Sequence, residues 1–442
     1  MRLDYKRTFL LGFGFFGVSV LWSVYNGFMP IFLKAYGLPL AVVGFVMTLD
    51  NIIGIFIQPY VGQLSDHTRT RLGRRLPYIL VGTPVAAAFF ALAPVIYQVL
   101  PRATAGLALL MGAIIIMNIA MAIFRTPVVA LMPDITPSEH RSKANGVINL
   151  MGGIGTTMAF ALGGLFAINV GLPFWIAAAV LLVAEGVVLL TIREPREFTA
   201  TSGESSKAPS FLESLRDLGR TLADVVRARE KSTLFICLAI FAWFMGYNAI
   251  ETFWSLYGVN RLFAAQIASG ALTAEAAAGK AVSMLILLSG SFLVFALPSG
   301  FIATRYGRKR TIMAGLVLLV ALWTGIYFFP NLIYVYITLI LSGVGWALIN
   351  INSLPIVADL ASDEKIGSYT GLYYLFSLLA ASTSPTIVGW LMDRLGMSVM
   401  FIYTPAFMAL AFLCMLGVKR SEPRTAVTTL GKAVEAAGEA DL

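Results

Sequence analysis

Charge is scarce in this chain. Of 442 residues only 12% are Asp, Glu, Lys or Arg, about half of what a soluble globular domain carries, and residues 77–100 have none. With 58% hydrophobic residues and a mean hydropathy of +0.82, an ordinary soluble fold is excluded. Cysteine is nearly absent. Cys237 and Cys414 both fall inside apolar segments, which excludes a disulfide framework and a thiolate metal site. The two histidines, His67 and His140, sit in separate loops, so a histidine-based metal centre is not expected. No nucleophile–base set, Walker loop or metal-ligand spacing is present, so neither an enzyme nor a resident cofactor is expected. The absence of Asn-x-Ser/Thr, together with short loops, suits the inner membrane of a bacterium.

What the chain has in quantity is long apolar runs. They lie near residues 8–33, 38–64, 77–100, 104–132, 144–169, 172–192, 232–258, 281–303, 311–329, 332–358, 366–391 and 397–418. Each has about 20 residues or more, the length that crosses a hydrocarbon core of roughly 30 Å. The first run is longer than a signal-peptide core and reads as a retained span. Twelve spans put both termini on one side of the bilayer. The N-terminus, the even-numbered loops and the C-terminal tail together hold 26 of the 32 Lys and Arg, while the odd-numbered loops hold five. Positive charge accumulates on the cytoplasmic side, so both termini are expected there. The net charge of +9 thus reflects membrane orientation, and no basic stripe with interleaved aromatics suggests a nucleic-acid partner.

The chain repeats itself. Pro133-Asp134-x4-Glu139-x6-Gly146 matches Ala358-Asp359-x4-Glu364-x6-Gly371, Tyr25-Asn26 matches Tyr247-Asn248, and Gly73-Arg74-Arg75 matches Gly307-Arg308-Lys309, at offsets of 225, 222 and 234. Two parallel six-span halves resemble the major facilitator fold. The expected division is an N-terminal half over 1–193, a cytoplasmic linker over 194–231, a C-terminal half over 232–420 and a flexible tail over 421–442. Within the linker, Phe211, Leu215, Leu218, Leu222 and Val225 form a seam at helical spacing. That seam predicts an amphipathic helix on the inner membrane face.

The most specific motif is Gly62-x3-Asp66-x-Thr68-Arg69-x-Arg71-x-Gly73-Arg74-Arg75-x-Pro77-Tyr-Ile79. Six residues separate Asp66 from Gly73, against two in ordinary major facilitator loops. This expanded form, with Arg125-Thr-Pro127 and Leu131-x-Pro133-Asp134-x-Thr136, resembles the sucrose–proton symporters of plants and their animal and bacterial relatives. More distantly it resembles the glycoside–pentoside–hexuronide class that includes melibiose permease. The resemblance implies an all-α integral membrane protein that moves a sugar by alternating access. It also implies a cytoplasmic gate, for which Asp66, Arg74, Arg75, Asp134, Glu139, Arg141, Arg308, Asp359 and Glu364 are the candidates. In sodium-coupled melibiose-type members an acid precedes the span-two Pro-x-x-Gly; here that residue is Gln58, which favours protons over sodium as the coupling ion.

Four ionisable residues fall inside spans: Asp50, Arg125, Glu185 and Glu251. At mid-bilayer each costs about 2.5–3.5 kcal/mol or more unless paired or hydrated. Arg125 is expected to pair across a central cavity with Asp50 or Glu251, and these three are the proton-coupling candidates. Glu185, in the peripheral sixth span, is expected to be structural. Sugars are recognised by aromatic faces and by amides, which nominates Trp22, Tyr25, Asn26, Asn51, Tyr247, Asn248, Trp254, Trp346, Asn350, Asn352 and Tyr373 as substrate contacts. The expected function is proton-coupled uptake of a disaccharide such as sucrose or maltose by a monomer. The alternative is export or facilitated movement of another small metabolite or drug on the same fold.

Overall fold

A computed structural model describes residues 4–136, 140–194, 230–360 and 366–419, and residues 216, 219, 220, 222, 223 and 225–227 of the linker; at 141, 142 and 366–368 it describes the backbone alone. The described residues hold twelve membrane-length helices. The first six are α1 (Tyr5–Ala35), α2 (Leu40–His67), α3 (Leu76–Val99), α4 (Thr104–Ile135), α5 (Lys143–Phe166) and α6 (Leu172–Thr191). The second six are α7 (Ser232–Leu262), α8 (Ala274–Tyr306), α9 (Arg308–Phe328), α10 (Leu332–Leu360), α11 (Tyr369–Leu395) and α12 (Met397–Gly417). A helix is the form in which every backbone polar group is satisfied within its own segment, which is what an apolar solvent demands. All twelve expected spans are there, most with ends within a few residues of those read from hydropathy.

Two local features depart from that reading. α2 tightens at Thr48, where the hydroxyl donates to the Phe45 carbonyl at 2.8 Å and the Thr48 amide turns back to Phe45 as well. A threonine that bonds its own backbone competes with the helical ladder, and the break falls two residues before Asp50. The linker seam also lies differently. Leu222 and Val225 pack with Cys237 of α7 and Leu372 of α11, so this part rests on the second half. Phe211, Leu215 and Leu218, like the tail from 420, lie outside the described residues.

The helix ends show how each half is tied together. At α1 the Asp4 carboxylate caps its own helix through the Arg7 amide at 3.0 Å, and Thr273 does the same for α8 through Ala276. At α3 the cap comes from far along the chain. Glu194, just past α6, accepts from the backbone amides of Arg74, Arg75 and Leu76 at 2.9, 2.7 and 3.0 Å. A carboxylate there neutralises several of the orphan donors at a helix start. Gly73 makes the approach possible: its φ is +119°, and a Cβ there would lie 2.6 Å from the Glu194 carboxyl carbon.

The halves meet closely away from the charge-rich loops. Gly44 of α2 lies against the Pro385 carbonyl of α11, Gly389 of α11 against the Leu40 carbonyl of α2, and Gly163 of α5 against Gly279 and Ser283 of α8. Small residues let membrane helices approach to backbone contact. Among the described residues, the hydrogen bonds between the halves lie at mid-depth, from Asn26 to Glu251, and at this same far end, where Asp393 of α11 reaches Leu40 and Ala41 of α2. Toward the charge-rich loops the described residues of the two halves share no such bond with one another, and Phe56 and Tyr60 of α2 with Leu297 and Phe301 of α8 are exposed. The bundle is therefore shut at one end and parted at the other.

Candidate functional site

A charged side chain exposed at the middle of a transmembrane helix must face a wet cleft, and Arg125 of α4 is such a residue. Its guanidinium interacts electrostatically with the Asp50 carboxylate of α2, and Asp50 in turn feels the Glu251 carboxylate of α7. The three ionisable groups thus converge from both halves on one cleft. The expected direct ion pair is replaced by a looser arrangement: among the described residues no salt bridge joins Arg125 to either acid. Each acid instead accepts from an amide. Asn51 Nδ2 donates to Asp50 Oδ1 at 3.0 Å, and Asn26 Nδ2 of α1 donates to Glu251 Oε1 at 3.2 Å. The second bond crosses from one half to the other.

Helical spacing arranges the rest. Tyr247 lies one turn before Glu251 on α7 and stacks on Trp346 of α10, with ring centroids 4.2 Å apart and planes 10° from parallel. Phe244 stands edge-on to Trp346 and to Tyr373 of α11. Trp22 and Tyr25 of α1 meet edge to face at 5.4 Å. Asn350, one turn beyond Trp346 and the repeat partner of Arg125, is half-buried. Asn248 is half-buried too, with its Nδ2 spent on the Phe244 carbonyl at 2.7 Å. Tyr373 exchanges a hydrogen bond with Ser353 at 3.2 Å.

Two nominated contacts are turned away from the cleft. Trp254 is fully buried, donates Nε1–H to the Ala281 carbonyl at 2.7 Å and packs on Tyr257 and Trp323. It lies two turns beyond Tyr247, toward the shut end, where α7 closes on α8. Asn352 donates to Ser299 Oγ and to the Leu348 carbonyl, both at 3.0 Å. Two residues past Asn350 a helix has rotated by roughly 200°, so Asn352 ties α10 to α8. Both are packing residues.

Asn118 was not anticipated. It is buried on α4 with both amide atoms lacking a partner, as do Tyr25 Oη and Trp22 Nε1. An unsatisfied buried amide is costly, and the Tyr25 hydroxyl is a polar group within its reach. The signal was present in the sequence: Asn118 precedes Arg125 by seven residues, two turns on one helix face. Glu185 of α6 is buried without a partner among the described residues, against Gly14 of α1 and Val128 of α4.

The charges of the parted end form two clusters, one in each half. Arg75 is nearly buried; it pairs with Asp66 and, through Nε at 3.1 Å, with Asp134, and it donates to Ser65 and to the Gly62 carbonyl. Arg74 pairs with Asp134 at 2.7 Å. In the second half Arg308 pairs with Asp359 and donates to the Pro355 carbonyl at 3.4 Å. Glu139 and Glu364, and the side chain of Arg141, lie outside the described residues.

The fold has close counterparts. A nucleoside transporter, NupG, superposes with a TM-score of 0.69 over 94% of this chain and all of that one, at 15% identity. A bacterial homolog of the human lysosomal transporter Spinster, in an inward-facing conformation, gives 0.68 over 94% and 98%, at 14% identity. Likenesses at this identity speak for the fold. In sequence, the general alpha-glucoside permease of Schizosaccharomyces pombe is 25% identical over 255 residues, 54% of this chain and 46% of that protein. The sucrose transport protein SUC3 of Arabidopsis thaliana is 26% identical over 162 residues, 33% of this chain and 27% of that protein. The human membrane-associated transporter protein is 26% identical over 166 residues, 36% and 31% of the two chains. The matched stretches thus span less than half of each of these relatives. The resemblance read from the span-two loop and span four extends well beyond them: the family model described as MFS/sugar transport protein matches residues 10–417, and the chain belongs to that family of membrane transporters.

Proposed function

We propose that this sugar transporter is a proton-coupled symporter of a glycoside of disaccharide size, such as sucrose or maltose. The observation that carries the reading is the convergence of Asp50, Arg125 and Glu251, from both halves, beside the Tyr247–Trp346 stack. Flat aromatic faces suit the C–H surface of a pyranose ring. Arg125 offers several fixed donors to hydroxyl oxygens, and a carboxyl group is a hydrogen-bond donor only while protonated. A protonated Asp50 or Glu251 can therefore donate to a sugar hydroxyl, and its ionised form returns to Arg125 or an amide. Linking sugar affinity to a proton in this way makes each favour the binding of the other. Glu251 carries a further consequence, because its acceptor oxygen holds Asn26 of the opposite half; protonation weakens that charge-assisted bond and eases movement between the halves. Gln58 before Pro59 leaves sodium without the acid that the melibiose-type pattern supplies.

The distribution of positive charge supports a multi-pass protein of the cell membrane, in a bacterium the inner one, with both termini and the charge-rich loops in the cytoplasm. On that orientation the conformer described here faces inward. One chain contains all these groups, so the working unit is a monomer.

Counterflow in proteoliposomes tests the assignment of the acids. Glu251→Gln or Asp50→Asn is expected to exchange internal for external labelled sugar while failing to accumulate it under an inward proton gradient. If both variants accumulate sugar as the wild type does, neither acid couples the proton and the reading fails.

A further inference from the structure

Helix α2 begins without a cap of its own. Its N-cap position is Pro39, which has no side-chain acceptor, and no side chain of the same half bonds the first amides. Three other spans, those that start after Asp4, Thr273 and the turn held by Glu194, are capped by a side chain of their own half, while those that follow Ala103, Gly171 and Gly307 have no side-chain cap. For α2 the acceptor comes from the opposite half: Asp393, near the end of α11, takes the Leu40 amide on Oδ1 and the Ala41 amide on Oδ2, each at 2.9 Å. Asp393 has no ion pair among the described residues, although Arg394 follows it; that arginine lies over the Trp390 ring. The carboxylate's recorded partners are these two amides, across the boundary between the halves.

The surrounding packing holds this arrangement at close range. Gly389, one turn before Asp393, lies on the Leu40 carbonyl, and Gly44, one turn into α2, lies on the Pro385 carbonyl. Gly389-x3-Asp393 repeats, at the shut end of α11, the Gly62-x3-Asp66 pattern at the parted end of α2. Asp66 is held inside its own half by Arg75, whereas Asp393 holds the other half.

We propose that Asp393 is the latch of the shut end: a helix cap supplied by the second half to the first, made only while this end is closed and released to water when it opens. A carboxylate at a helix start is favoured by two hydrogen bonds and by the helix dipole, and here that preference acts on the balance between two conformers. The inference rests on the alternating-access part of the proposed function, and on neither the sugar nor the proton.

Double electron–electron resonance in proteoliposomes without sugar tests it. One spin-label pair at Ala103 and Gln266 reports on the shut end, and another at Arg69 and Arg305 on the parted end, with Cys237 and Cys414 replaced. Asp393→Ala is expected to raise the ratio of molecules open at the first pair by on the order of tenfold, the effect of losing a helix cap, with the second pair moving closer in step; Asp393→Asn, which keeps one acceptor oxygen, is expected to shift it less. Asp393→Glu, which keeps the charge, is expected to recover part of the closed population. Thr273→Ala serves as the contrast, because its hydroxyl caps α8 at the same end but within its own half. Unchanged distance distributions in folded, monodisperse Asp393→Ala overturn the proposal. So does an equal shift in Thr273→Ala, which would mark a general loosening. The conformer ratio is read without transport, so a failure of the sugar or proton reading leaves this result independent.

Discussion

The two halves solve the same structural problem with opposite charges. In the first, the turn before α3 is fastened to the end of α6 by an acid: Glu194 accepts from three amides at the α3 start. In the second, the first turn of α9 is fastened to the end of α12 by a base. Lys309 Nζ donates to the carbonyls of Leu416 at 3.2 Å and Val418 at 2.5 Å. The repeat is visible in both, since Arg74–Asp134 and Arg308–Asp359 occupy matched positions. Among the described residues, the first half adds a further layer. Arg75 draws Asp66, Ser65 and Asp134 into one nearly buried cluster, while Thr304 stands four residues after Gly300 where Asp66 stands after Gly62. Duplication thus preserved the contacts between elements and let the chemistry making them diverge. The first half holds the denser polar network and, at mid-depth, two of the three convergent charges.

The comparison can be broken most strongly at its buried arginine. Removing Arg75 strands Asp66, leaves Asp134 to Arg74 alone and empties a buried site that also bonds Ser65 and the Gly62 carbonyl, so Arg75→Met is expected to cost about 3 kcal/mol. Arg308→Met strands one partly exposed acid and is expected to cost about 1 kcal/mol. Thermal unfolding of the purified variants reads the difference, and equal losses would remove the asymmetry. The next largest effect concerns transport. Arg125→Gln is expected to lower sugar uptake by roughly a hundredfold, the scale of a charge-assisted contact, whereas Asn350→Ala at the matched position loses about tenfold or less.

Smaller effects test the two fastenings. Gly73 and Gly307 both have positive φ, +119° and +87°, but a Cβ on Gly307 meets nothing within 4 Å while one on Gly73 meets Glu194. Gly307→Ala should lose about 1 kcal/mol from backbone strain alone, and Gly73→Ala about twice that. Smallest of all, Glu194→Gln is expected to cost about 1 kcal/mol and Lys309→Met about half as much, because the half-buried lysine meets only two carbonyls at the α12 end. The same unfolding measurement ranks these four.

The sequence made some of this plain and concealed the rest for physical reasons. Hydropathy outlined the twelve spans because a bilayer requires long apolar helices, and the internal offsets disclosed the two halves. Asp50, Arg125 and Glu251 stood out because an ionisable group in an apolar span is rare. Trp254 and Asn352 were harder: residue type shows that a polar atom needs a partner, but not whether Ala281 or Ser299 already supplies one. Asn118 was overlooked because an amide is a quieter signal than a charge. Asp393 and Glu194 lie near loops, where acids are ordinary, and only folding shows that each reaches the start of a distant helix. The tightened turn at Thr48 depends on one hydroxyl choosing a backbone carbonyl, which periodicity does not register.

The central claim is that sugar and proton move together through the cleft between the halves. Uptake of a panel of labelled disaccharides into proteoliposomes, with and without an inward proton gradient, tests it most directly. The account predicts accumulation of at least one glycoside above its external concentration only when the gradient is present, with alkalinisation of the external medium in step. Uptake that reaches only equilibrium, unchanged by the gradient for every sugar in the panel, would contradict it.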